Sequence, residues 1–121
     1  MKAILHSIEP HTTRGDWQSF VDNPSVDPWD AHGSFTLRIG SEGSLGADLF
    51  DVNVSTSAAA GRARGKARYF RGILVEQFTA EVVERTLREY VEGLKGNDWQ
   101  QILDQLRKVM HWEYEGMYPP H

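Results

Sequence analysis

The sequence contains no cysteine. That excludes a disulfide framework, a thiolate metal site and a cysteine nucleophile, and it fits a reducing compartment such as the cytoplasm. Long apolar runs are missing too. The opening, Met1 to Glu9, carries one lysine, and His6 and Ser7 interrupt its apolar residues, so it does not read as a signal peptide. No stretch approaches membrane-spanning length, so no membrane partner is expected. Catalytic vocabulary is sparse. His6, His11, His32, His111 and His121 show no HExxH or other ligand spacing, and a metal site built from His111, Glu113 and a loop acid is the weaker reading. No serine sits in a nucleophile elbow. Asp48 and Asp51, three apart on an expected strand, face opposite sides and do not form a carboxylate pair. The glycine-rich stretch GSEGSLG at 40–46 lacks both the lysine ending of a phosphate loop and dinucleotide-loop spacing, so it reads as a turn. No catalytic residue, metal site or cofactor is therefore expected.

What is present is one domain's worth of chain, 121 residues with a net charge of −4. The charge is uneven. Arg62, Arg64, Lys66, Arg68 and Arg71 lie in one segment without an acid, and these five cations leave −9 for the remainder. An acidic body repels nucleic acid and favours encounter with a basic protein. The basic 62–71 segment, with Tyr69 and Phe70 available for stacking, keeps a nucleic-acid-associated alternative open. A solvated loop is the plainer reading of such a charge run.

Periodicity supplies the elements. Lys2 to Glu9 alternates as a strand, placing Ile4 and Ile8 on one face and Ala3 and Leu5 on the other, and Pro10 ends it. Pro10 to Gly33 is a long connection in which Asp16, Asp22, Asp27 and Asp30 are interleaved with Trp17, Phe20, Val21 and Trp29. Buried aromatic anchors would pin it, or the same residues would form an acidic, aromatic binding surface. Ser34 to Ile39 and Asp48 to Thr56 alternate cleanly, with Phe35, Leu37, Ile39, Phe50, Val52 and Val54 inward. Ser57 to Arg68 is small and basic and reads as a loop. Tyr69 to Val75 reads as a strand, and Ile73-Leu74-Val75 fits a central one covered on both sides. Thr79 caps a helix with Val83, Leu87, Tyr90, Val91 and Leu94 on its stripe, Gly93 and Gly96 bracket its end, and Gly96 fits its C-cap.

Asn97 opens a second helix carrying Trp99, Ile102, Leu103, Leu106, Val109 and Met110 at helical spacing. Continued further, that helix would bury Glu113 and expose Trp112, so it ends near His111 or turns a large aromatic outward. Either Trp112 and Tyr114 pack on a neighbouring element or they face a partner. Strands followed by helices predict an α+β fold: an antiparallel sheet of about four strands followed by two C-terminal helices packed on one face.

Met1-Lys2-Ala3-Ile4-Leu5, Ser7-Ile8-Glu9, the block from Ile39-Gly40 through Gly43 to Gly46-Ala47-Asp48-Leu49-Phe50-Asp51-Val52, Leu74-Val75-Glu76, Trp99 and His111-Trp112-Glu113-Tyr114 follow one another in order. Together they resemble the Immunity protein 8 family of bacterial polymorphic toxin systems, over nearly the whole chain. The resemblance implies a cytoplasmic, non-catalytic α+β protein without a cofactor, which binds and neutralises a cognate toxin domain. The chain departs from the family pattern at Ser57 to Arg68, where larger apolar residues are more usual. The candidate partner contacts, taken as one acidic and aromatic surface, are Asp16, Trp17, Asp27, Trp29, Asp48, Asp51, Trp112, Glu113 and Tyr114. The His-Trp-Glu-Tyr segment equally fits a structural signature of the fold.

Overall fold

A computed structural model describes residues 1–11, 16–23, 26–64 and 71–114. The chain forms β1 (Ala3–Pro10), α1 (Trp17–Asp22), β2 (His32–Ser41), β3 (Asp48–Thr56), α2 (Ser57–Arg64), β4 (Ile73–Val75), α3 (Ala80–Glu92), α4 (Trp99–Leu106) and β5 (Met110–Trp112). The class is α+β, as the order of patterns predicts. The sheet runs β1-β2-β3-β4, and β5 joins β3. All pairings are antiparallel except that of β3 with β4, which is parallel.

Phe35, Leu37, Ile39, Phe50, Val52 and Val54 point to one face of the sheet and are buried. Val83, Leu87 and Val91 of α3 and Ile102, Leu103 and Leu106 of α4 close over them in the same hydrophobic cluster. Both C-terminal helices thus use their apolar stripes against one sheet face. Tyr90 joins them through its hydroxyl, which donates to the Gln105 carbonyl at 3.3 Å. Burial pushes that hydroxyl above its ordinary pKa.

The alternation in β1 is not strict. Leu5 lies opposite Ile39 and Ile8 opposite Leu37, with a register shift between Leu5 and Ser7. One extra residue at this bulge turns Ile8 to the core side, with Ala3 and Leu5 and away from Ile4. The outer edge of β1 is guarded. Leu5 N–H donates to Glu92 Oε2 at 3.2 Å, and Arg88 donates to the Leu5 carbonyl at 3.1 Å, where a neighbouring strand would otherwise pair.

Further expectations shift. The long connection contains α1, capped by Asp16, which accepts from Ser19 N–H at 2.6 Å. Residues 57–64 are helical rather than loop, with Ala59 and Ala60 buried; of the expected strand Tyr69 to Val75, Tyr69 and Phe70 lie outside the described residues, and Arg71 and Gly72 precede the strand, which is β4 alone. Its Leu74 is 44% exposed, so β4 is a margin strand and not a central one. Helix α3 ends at Gly93, the first of the two bracketing glycines, so Gly93 and not Gly96 is its C-cap. Helix α4 starts from Asp98, which accepts from Gln101 N–H, and stops at Leu106. Val109 N–H then bonds the Leu106 carbonyl in a tighter turn, and Met110 enters the sheet. Val109 and Met110 still reach the core, but from that turn and from a strand.

The β2–β3 turn needs glycine at two points. Gly43 has φ +82°, and a Cβ on Gly40 would run into the Gly46 carbonyl oxygen.

Candidate functional site

The nine nominated residues do not form one patch. Asp16, Trp17, Asp27 and Trp29 gather where β2 begins and β3 finishes. Asp48, Trp112, Glu113 and Tyr114 gather where β3 begins. The strand between these ends, Asp48–Thr56, is about 26 Å long at ~3.3 Å per residue. Asp51 lies between, on the polar face of the sheet.

At the end where β3 begins, the side chains hold β5 in place. Phe50 pairs with Trp112 and Val52 with Met110. Trp112 Nε1 donates to Asp48 Oδ2 at 3.1 Å. The Arg107 guanidinium lies 5.5 Å over the same ring, and Tyr114 meets it edge-on at 5.2 Å. Glu113 N–H donates to the Leu49 carbonyl at 2.9 Å, and its carboxylate accepts from Leu49 N–H at 3.2 Å. Arg71 supports the strand from beyond, donating through Nη2 to the carbonyls of Arg107 and Met110. A recess of about 420 Å³ opens beside this end between the β2–β3 turn, Asp48 and Trp99.

At the other end, Trp17 is half-buried. It meets Phe20 edge-on at 5.2 Å and Phe35 at 6.3 Å, and Phe20 and Phe35 both pack on Phe78. Trp17 is therefore an anchor of the long connection. Trp29 is not. Asp27 Oδ1 accepts from Trp29 N–H at 3.1 Å, and Asp30 N–H donates to the Asp27 carbonyl. Phe78 N–H bonds the Pro28 carbonyl at 2.7 Å, and Thr56 N–H bonds the Ala31 carbonyl at 3.0 Å. This turn is fixed on both sides, and the Trp29 side chain stands out of it, 56% exposed. Val26, three residues before it, is fully exposed.

The polar face carries an arrangement that sequence reasoning missed. Thr36 and Asp51 pair across β2 and β3, and Asp51 and His111 across β3 and β5. Thr36 Oγ1 lies 2.6 Å from His11 Nε2 and donates to Asp51 Oδ1 at 2.7 Å. His11 Nε2 is 3.6 Å from the same carboxylate oxygen. Both His111 ring nitrogens lie near Arg71 Nη1, at 3.1 and 3.3 Å. A threonine between a histidine and an aspartate superficially suits nucleophile activation. Here the hydroxyl already donates to the carboxylate, and His11 and Asp51 are exposed on a sheet face. Among the described residues no group of three or more histidines and acids is placed to hold a metal ion. These neighbours come from three strands and a loop, so register, not spacing along the chain, brings them together.

Of the basic segment, Lys66, Arg68, Tyr69 and Phe70 lie outside the described residues. Arg71 bonds the backbone leading into β5, as described above. Among the described residues no helix is long and apolar enough to cross a membrane.

The ordered sequence blocks behind the resemblance now have structural roles: Gly40 and Gly43 in the turn, Asp48 with Trp112, and Leu49 with Glu113. The sequence model of Immunity protein 8 matches residues 10–117. The chain belongs to the Immunity protein 8 family. This immunity protein thus has the α+β sheet-and-helix architecture described above. Neither the curated proteins nor the solved structures yield a match. For the immunity role, the two ends of the sheet are the places where acidic and aromatic residues concentrate. At one end they are bonded into the fold, and at the other Trp29 is presented to solvent.

Proposed function

We propose that this protein binds a cognate bacterial toxin domain and neutralises it by non-catalytic protein–protein contact, in the cytoplasm of the cell that makes the toxin. Membership of the Immunity protein 8 family over residues 10–117 carries the reading. The charge distribution supports it. Outside the basic segment the chain holds −9, which favours encounter with a basic protein surface and speeds association at low salt.

Co-expression tests the reading. The chain is produced together with the toxin C-terminal domain encoded beside it, and growth and co-purification are scored. Rescue of growth with a stable complex is the expected result. Continued toxicity without a complex, from a folded chain and an active toxin, would sink it.

A further inference from the structure

The turn that presents Trp29 has the features of an interface anchor. It is ordered before any partner arrives, because backbone bonds to Phe78 and Thr56 hold it on both sides. An ordered anchor loses little conformational entropy on binding. Tryptophan is a frequent hot-spot residue, and this one is more than half exposed, three residues after a fully exposed valine. The segment that carries the turn is charged with one sign. From Asp16 to Ala31 the sequence has four aspartates and neither lysine nor arginine. Helix α1 and the turn are neighbours, since Phe20 packs on Phe78 at 5.4 Å and Phe78 N–H bonds the Pro28 carbonyl. Asp16 and Asp22 therefore stand at the same end as Asp27, all three exposed, and Glu76 follows β4 there.

We propose that Trp29 and Val26 form an apolar knob set among the Asp16, Asp22 and Asp27 carboxylates, and that it docks into an apolar socket rimmed by lysine or arginine on the toxin domain. The inference rests on the immunity reading and names the surface and the partner's chemistry. The knob supplies the lifetime of the complex, because it is buried on docking. The carboxylates supply the encounter rate, because their field acts before contact.

The test is a binding series with the purified toxin domain that the wild-type chain is measured against. Trp29→Ala is expected to weaken binding at least about 30-fold, chiefly by faster dissociation. Its melting temperature should stay at the wild-type value, since the indole packs little. Asp16→Asn, Asp22→Asn and Asp27→Asn together keep the side-chain acceptors that cap α1 and hold the turn. They are expected to slow association about tenfold at low salt, flatten its salt dependence and leave dissociation within about twofold. Leu45→Asp, on the exposed turn at the opposite end of the sheet, is expected to bind like wild type. If the wild type forms no complex, the immunity reading falls and this inference falls with it. If the wild type binds and Trp29→Ala binds as tightly, the immunity reading stands and this surface is overturned. Loss of binding in Leu45→Asp alone would move the interface to the other end.

Discussion

The two ends of the sheet use the same residue types for opposite purposes. Where β3 begins, Asp48 holds the Trp112 indole and Glu113 clamps the Leu49 backbone. Where β3 finishes, Asp27 bends the chain so that Trp29 stands away from the core. The difference lies in what each indole has to lie against. Trp112 belongs to a strand that adds to β3, so its ring lands beside Asp48, Arg107 and Tyr114. Trp29 belongs to a turn whose backbone is tied down while its side chain is not. Asp48 beside Trp112 is therefore a fastening, and Asp27 beside Trp29 a presentation.

Stability measurements can break this comparison. The largest effect is expected from Trp112→Ala, which removes the packing and the bond to Asp48 together. Urea denaturation should show a loss of about 2–4 kcal/mol. Trp112→Phe keeps most of the ring and deletes the donor, leaving half-buried Asp48 short of a partner; about 1–3 kcal/mol should go. Asp16→Ala removes the cap of α1 and should cost about 1 kcal/mol, without exceeding the loss for Trp112→Ala. Trp29→Ala is expected to change stability by less than about 0.5 kcal/mol. If it instead cost as much as Trp112→Ala, Trp29 would be a packing residue and the contrast between the ends would collapse.

Much of the architecture was legible from local pattern. The period-2 runs around Phe35 and Val52 are strands facing the core, and the period-3.6 stripes of Val83-Leu87-Val91 and Ile102-Leu106 are helices over it. Local pattern failed where tertiary contact overrode it. The bulge after Leu5 inverts the facing of Ile8, and strict alternation cannot announce an extra residue. Val109 and Met110 sit at helical spacing yet come after the helix, because the free edge of β3 from Phe50 to Val52 offers a ladder and Arg71 takes the carbonyls of Arg107 and Met110. Of the candidate site residues, sequence supplied the right types but grouped them as one surface. Separating Trp29 from Trp112 needed to know which had a neighbour across the sheet.

By itself the sequence determined the class of the protein, the inward faces of β2, β3, α3 and α4, and the family, because these depend on residue order and periodicity along one chain. The tertiary structure alone decided that His111-Trp112-Glu113 completes a sheet, that His11, Thr36, Asp51 and His111 share one face, and that Trp29 is held outward. Each of these is a contact between residues on different elements or a matter of solvent exposure. Such facts are fixed by strand register and packing, and neither is written in local spacing.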